Sequence, residues 1–324
     1  MPEPSVLALD VGGTKLAAGV VAADGTLQSS FLSIGTAVHD GPQAVVGRLL
    51  DLGEKALAEA GHPDIGAVGI GCGGPLDPRT GVILGPPGLP GWDEVPLGQL
   101  VTDRLGLPAY VENDATAAAL GEYRWGGWGV RNLVYLTVST GFGGGVVIDG
   151  DLFRGAAGQG GELGHVVVDW QGRPCGCGAR GCAEAYVSGT AIAARAHEAL
   201  QGWGSESSLR SLDSVTAKDV VEHASSGDVL ATAVWGETTA MLGRMVAVII
   251  NVCEPELVVL GGGVTRAGGL LLDPVREAAL SQAMPPAAKA CDVVLSHHGD
   301  QAGVLGAAAI GFHHLDKLHA EGNG

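Results

Sequence analysis

The sequence predicts an α/β protein of two lobes, with a duplicated core and a cleft between the lobes. Three observations lead there. The chain has 324 residues and is 46% hydrophobic, enough to bury a large core and to divide it in two. Short apolar, β-branched runs alternate with stretches of helical spacing along its length. A pattern of strand, Gly/Thr turn, strand and Asp-Gly occurs at residues 6–25 and again at 133–150, as an internal duplication would leave it. Chance likeness of two hairpins is the alternative.

The elements follow in order. Residues 6–10 make an apolar strand ending in Asp10, and the turn Gly12-Gly13-Thr14-Lys15 leads into a second strand at 16–21. Backbone N–H groups, a hydroxyl and a cation beside an acid could hold phosphate and a metal ion; an ordinary glycine turn is the other reading, and the spacing is not that of a P-loop. A third strand is expected at 26–34. Val45, Leu49, Leu52, Ala56 and Leu57 then predict a helix over 42–60. Residues 67–74 contain G-x-G-x-x-G, but Pro75 and turn chemistry at 77–81 follow where a dinucleotide fingerprint requires a helix. A glycine loop lying against a small ligand, Gly74 included, fits better.

A Pro/Gly loop carrying Trp92, read as packing, precedes a helix at 97–105 and a strand at 109–112. Asn113-Asp114 then stands directly before a helical run. Such a pair reads as an N-cap, or as a carboxylate at a strand's carboxyl end, where α/β sheets bind ligands. The second hairpin carries Thr140, Gly141 and Gly143 in its turn, so two such hairpins could clamp a polyphosphate.

Residues 162–184 concentrate metal chemistry. Cys175, Cys177 and Cys182 lie within eight positions, among glycines at 176, 178 and 181, and His165 completes a Cys3His set. Four such ligands suit a closed, structural zinc site; scattered reduced thiols are the alternative. Glu162 and Glu184 bracket the set. A ligand histidine has a second ring nitrogen that normally finds a partner, and a substrate hydroxyl would make the metal the support of a binding pocket. Glu-x-x-His also occurs in helical di-iron sites, but Gly158, Gly160, Gly161 and Gly164 argue against a helix here.

Helices are expected at 183–200, 217–224 and 230–252, with a polar surface loop at 202–214. A strand at 256–260 runs into Gly261-Gly262-Gly263 and a helix through 279, an arrangement suited to a nucleotide. A strand at 292–295 and a helix at 302–312 follow; small residues at 303, 306, 307, 308 and 311 suggest a tight crossing between lobes. The small lobe is expected over 1–120, with the last helix (302–318) packing back on it, and the large lobe over 121–301.

A net charge of -17 excludes a general nucleic-acid binder. No targeting segment and no apolar run long enough to span a bilayer are evident, so no membrane partner is expected and the cytoplasm is the expected location. Cys72, Cys253 and Cys291 read as buried thiols in a reducing compartment.

Asp10-Val-Gly-Gly-Thr-Lys15, Glu112-Asn-Asp-Ala115, Thr140-Gly-Phe-Gly-Gly-Gly145, Glu162-Leu-Gly-His165, Cys175-Gly-Cys-Gly-Ala-Arg-Gly-Cys-Ala-Glu184 and Leu260-Gly-Gly-Gly263 together resemble the ROK family of sugar kinases in the actin-like ATPase superfamily. The cysteine motif is specific to that family, whereas the glycine turns are shared across the superfamily. The resemblance implies an actin-like ATPase (ribonuclease H-like) fold and a glucokinase-like enzyme of carbohydrate metabolism that uses ATP, Mg2+ and a structural Zn2+. It implies Asp114 as general base, Asn113, Glu162, His165 and Glu184 on the sugar, and Gly12 to Lys15 with Thr140 to Gly143 on the phosphates. Asp10 would support magnesium, and Gly261 to Gly263 would lie near adenosine. A homodimer or homotetramer is implied.

Ser139, Gly73 and Gly88 depart from residues common in the family; the last two border the expected sugar pocket and leave the sugar open. The short link from His165 to Cys175 and the complete hydroxyl-binding set resemble ROK glucokinases, which favours glucose at the 6-hydroxyl. Mannose, fructose, an N-acetylated hexosamine or a cyclitol are the other substrates, and a non-catalytic sugar sensor is the reading from another class. Family repressors carry a DNA-binding domain before the first strand, where here five residues precede Val6.

Overall fold

Strand β1 (Ser5–Val11) is apolar up to Asp10 and buried on both faces, the pattern of a strand at the middle of a sheet. It pairs antiparallel with β2 (Lys15–Val21), which pairs with β3 (Leu32–Gly35). On its other side β1 runs parallel to β4 (Ile65–Cys72), and β4 to β7 (Ala109–Asn113). The sheet order is β3-β2-β1-β4-β7. Parallel neighbours need crossovers, supplied by α1 (Pro42–Glu59) and α2 (Leu97–Leu105). A small hairpin, β5 (Leu76–Asp77) and β6 (Val82–Ile83), precedes α2.

The computed structural model describes residues 3–202 and 206–322. The chain divides into two units. The first comprises Met1–Gly129, Gly145–Gly161 and Asp300–Gly324; the second comprises Val130–Gly144 and Glu162–Gly299. In the first, Leu7, Leu9 and Val11 face a core with Leu49, Ile70 and Trp92, so Trp92 packs. Val6 and Ala8 face the opposite way, onto Val304, Ala307, Ala308 and Phe312. Those four belong to α10 (Ala302–Gly322), which lies on β4 and on α3 (Asp114–Trp125). A Cβ at Gly69 would sit 1.8 Å from the Ala307 carbonyl oxygen. The small residues of α10 thus serve packing inside this unit.

The second sheet has the order β10-β9-β8-β11-β12, from β8 (Leu133–Val138), β9 (Phe142–Ile148), β10 (Asp151–Leu152), β11 (Leu257–Gly261) and β12 (Asp292–Leu295). β11 is parallel to β8 and β12, and β10 is antiparallel to β9. Taking the strands of each sheet in chain order, both read third-second-first-fourth-fifth, which a duplication explains and chance similarity of two hairpins does not.

Helices α4 (Glu184–Val187), α5 (Gly189–Gly202), α6 (Ala217–Ser225), α7 (Val229–Cys253), α8 (Gly269–Gln282) and α9 (Pro285–Ala290) belong to the second unit. By length and composition α7 could cross a membrane, a correction to the reading that no segment could, yet 61% of its apolar window is buried in the protein. Leu242, Val246 and Ile250 are fully buried there.

Four other expectations need correcting. The strand expected at 26–34 shrinks to β3, because Ser29 Oγ takes the Val20 N–H and itself donates to the Ser30 carbonyl, replacing ladder bonds. The helix expected at 183–200 breaks at Ser188, which is extended and caps α5 by accepting the Ala191 N–H at 3.1 Å. The triple glycine enters a 3-10 turn, Gly263–Ala267, before α8. The loop expected at 202–214 lies partly outside the described residues, and its 3-10 turn Ser208–Ser211 buries Leu209.

Candidate active site

In the first unit the turn after β1 is held from several sides. Gly12 N–H donates to the Lys15 carbonyl at 3.0 Å, and Thr36 caps the turn through its hydroxyl, which donates to the Gly12 carbonyl at 2.6 Å. Gly13 faces the Trp92 loop so closely that a Cβ would lie 2.8 Å from the Gly88 carbonyl oxygen. Lys15 Nζ stands over the Phe31 ring, 5.7 Å from its centre.

Asp10, next to last in β1, stands opposite Gly71 of β4. A Cβ at Gly71 would be 3.5 Å from Asp10 Oδ1 and 3.7 Å from Asp114 Cα, so the missing side chain leaves the two acids as neighbours. Gly303 of α10 closes the other side, where a Cβ would meet Asp10 Oδ2 at 2.4 Å. Loss of hydration pushes the Asp10 carboxyl up to about 7; the charge of Asp114 adds to the rise and that of Lys15 opposes it. An acid so enclosed favours a cation beside it. A hard oxygen donor of this kind fits magnesium.

Asn113 and Asp114 divide the work at the β7–α3 junction. Asn113 Oδ1 accepts the Ala115 and Thr116 N–H groups at 3.0 and 3.1 Å and is the N-cap. Its amide donors therefore point away from the cap, and Asp114 shares only the Ala115 N–H with it. Asp114 Oδ1 accepts the Ala115 N–H at 2.8 Å. Loss of hydration raises its carboxyl above the ordinary aspartate value while that N–H lowers it, the setting of a carboxylate tuned to take a proton. Gly74 lies in the loop between β4 and β5 of the same unit.

In the second unit, the candidate ligand atoms of His165, Cys175, Cys177 and Cys182 lie within 4.8 Å of one another. Cys177 Sγ is 3.7 Å from Cys182 Sγ, and Cys175 Sγ is 3.7 Å from His165 Nδ1. Zinc–sulfur bonds of about 2.3 Å at tetrahedral angles put neighbouring sulfurs about 3.8 Å apart, so the four residues fit zinc. Glycines shape the loop. Gly178, at φ 90°, turns the chain between Cys177 and the Ala179–Arg180 segment, and a Cβ on Gly181 would lie 1.6 Å from the Asp169 carbonyl oxygen. Burial, then the neighbouring Cys177 and Cys175, push the Cys182 thiol up to about 12; a bound cation would reverse that.

Glu162 precedes a 3-10 turn, Leu163–His165, which His165 ends, and both are exposed. Glu184 sits at the start of α4 and links two features. Its Oε2 is 3.8 Å from His165 Nδ1 and 3.7 Å from Cys175 Sγ; its Oε1 accepts the Phe142 N–H at 3.4 Å. One carboxylate thus touches both the cysteine cluster and the β8–β9 turn.

A cavity of about 670 Å³ opens in this unit, between Ser139-Thr140, the start of α5, α6 and Gly263 to Ala267. That volume suits a small-molecule ligand. Thr140 and Gly263 were expected at a nucleotide; Thr190, Val215, Lys218, Glu222 and Arg266 were not. The one sequence hint was Thr216-x-x-Asp219, a capping box that starts α6 at the cavity wall. Gly262, at φ 87°, lets the chain pass Val138, whose carbonyl oxygen a Cβ would approach to 2.5 Å; Gly261 backs onto the Tyr135 ring and Gly263 has open space. Gly141 and Gly143 belong to the turn and start of β9. The expected residues thus fall in two groups, Asp10 to Lys15, Gly74, Asn113 and Asp114 in the first unit and the remainder in the second.

Comparison with known proteins identifies the family and the fold. The ROK family model matches residues 6–313. The chain is 37% identical over 314 residues to a glucokinase of Thermotoga maritima, spanning 96% of this chain and 98% of that one. It is 36% identical over 306 residues to an N-acetylmannosamine kinase of Escherichia coli, spanning 94% and 98%. A solved ROK family glucokinase from Streptomyces griseus, in complex with glucose and AMPPNP, matches with a TM-score of 0.80 at 33% identity, over 95% of this chain and 99% of that one. The architecture is the actin-like ATPase fold, and the chain belongs to the ROK family.

Proposed function

We propose that the protein is an ATP-dependent hexose kinase whose first substrate is glucose, converted to glucose 6-phosphate. The observation that carries this is the division of labour between Asn113 and Asp114. The cap is made by Asn113, which leaves an enclosed carboxylate of raised pKa beside the phosphate-type turn at Asp10 to Lys15.

In this reading the Asp114 carboxylate accepts the proton of the sugar 6-hydroxyl as its oxygen attacks the γ-phosphorus and ADP leaves. Phosphoryl transfer depends chiefly on positioning and charge stabilisation. Asn113, Glu162, His165 and Glu184 hold the other hydroxyls. Gly12 to Lys15 and Thr140 to Gly143 hold the phosphates, and the cavity beside Gly263 takes the nucleoside. Magnesium, supported by Asp10, would neutralise phosphate charge. His165, Cys175, Cys177 and Cys182 would hold zinc, which supplies rigidity and no reacting group. Among the described residues every cysteine is a free thiol, in keeping with a cytoplasmic protein; a homodimer or homotetramer rests on the family resemblance.

The 36% identity to an N-acetylmannosamine kinase favours an N-acetylated hexosamine as second reading. A coupled ADP-release assay across hexoses, N-acetylhexosamines and cyclitols tests both. Turnover on glucose supports the first, turnover confined to an acetylated sugar supports the second, and no turnover from folded, zinc-loaded protein would contradict the kinase reading.

A further inference from the structure

Glu112 is next to last in β7, one residue before the cap, and its side chain is 2% exposed. An ionised carboxylate stays in such a place only with partners, and both oxygens have one. Oε1 accepts the Asn113 N–H at 3.0 Å, and Oε2 accepts from Arg154 Nε at 2.6 Å. Burial raises the Glu112 carboxyl, while the Arg154 charge, its hydrogen bond and the Asn113 N–H pull it back. An apolar side chain could fill a strand end without this balance.

Arg154 comes from far along the chain, just after β10, where it opens a loop closed by the Gly160 N–H donating to the Arg154 carbonyl at 2.8 Å. The loop is keyed to the residues following Gly74. Gln159 Nε2 donates to the Leu76 carbonyl, and a Cβ on Gly158 would meet the Pro78 ring at 2.6 Å. In sequence it then runs directly into Glu162-Leu-Gly-His165.

We infer that the Glu112–Arg154 pair is a positioning device for the sugar side of the reaction, fixing the Asn113 backbone, and with it Asp114, to the loop that leads into Glu162. Hydrogen bonds run from Arg154 to Glu112 to the Asn113 N–H, and from Asn113 and Asp114 into the first turn of α3. Neither residue of the pair need touch substrate. The inference rests on the proposal that Asn113 and Asp114 meet the sugar.

The test uses the full-length protein with Glu112→Gln, Arg154→Met, the double variant and Arg154→Lys. Glutamine keeps an acceptor for the Asn113 N–H and loses the charge. Small misplacement of reacting groups costs about 100-fold, so each single variant should lose about 10- to 100-fold in kcat/KM for glucose, with KM for ATP changed less than about threefold. The double variant should be no worse than the poorer single, as residues acting together behave, and Arg154→Lys, which keeps the charge, should recover part of the loss. Single variants within twofold of wild type, losses that add in the double, or ATP and sugar parameters falling together in step with the melting temperature would overturn the inference. Asp114→Asn run alongside separates the two ideas: full turnover there removes the base assignment, while a sugar-selective defect in Glu112→Gln would still stand on Asn113.

Discussion

The two five-stranded sheets share a strand order and differ in what they carry at their first turn. In the first, Asp10 pairs in register with Gly71. In the second, the matching position is Thr137, paired with Gly261. The glycine partner is kept, and the acid is not. The first turn is charged, with Asp10 and Lys15, and the second is a neutral Ser139-Thr140-Gly141 segment whose nearby acid, Glu184, arrives from a helix and accepts the Phe142 N–H. Duplication transmitted the backbone frame and left side-chain charge free to diverge; in the proposed reading one sheet serves proton and metal chemistry and the other backbone contact with phosphate.

Breaking the Cys3His cluster, proposed to hold zinc, should have the largest effect. Structural zinc is worth on the order of 10 kcal/mol of folding energy, so Cys177→Ser should lose bound zinc and melt far below wild type. Metal analysis with thermal melts checks this; a zinc-free Cys177→Ser protein of full stability would remove the metal from the account.

Backbone strain comes next and probes the second sheet alone. Alanine at Gly262 would hold a positive φ against the Val138 carbonyl, at a cost of about 1–3 kcal/mol, and KM for ATP should rise about tenfold or more. An effect of similar size probes the charge of the first sheet. The Asp10 carboxyl lies at about 7 when folded against an ordinary 3.8, so across that window the folded chain holds a proton the unfolded one has lost. Stability therefore falls as pH rises through it. Without divalent cations, wild type should melt lower at pH 8 than at pH 5, and Asp10→Asn should lose most of that slope.

Much of this was legible in the sequence. Glycine turns, the cysteine spacing and the Asn113-Asp114 pair are local in sequence, and their chemistry depends on neighbours a few residues away. What was hidden was tertiary. Nothing near Arg154 announces Glu112 as its partner, 42 residues away. The cavity wall at Val215 to Glu222 is made by a helix that reads as an ordinary amphipathic surface element. The break at Ser188 was readable in principle, since Ser-Gly-Thr is a helix start, but continuous helical spacing on both sides concealed it.

The central claim is that Asp114 takes the sugar proton. Single-turnover transfer from ATP to glucose, measured for wild type and Asp114→Asn after both substrates are shown to bind by calorimetry, tests it most directly. The account predicts unchanged binding within a few-fold and transfer slower by about 10² to 10⁴. Transfer within tenfold of wild type, with both substrates bound, would contradict it.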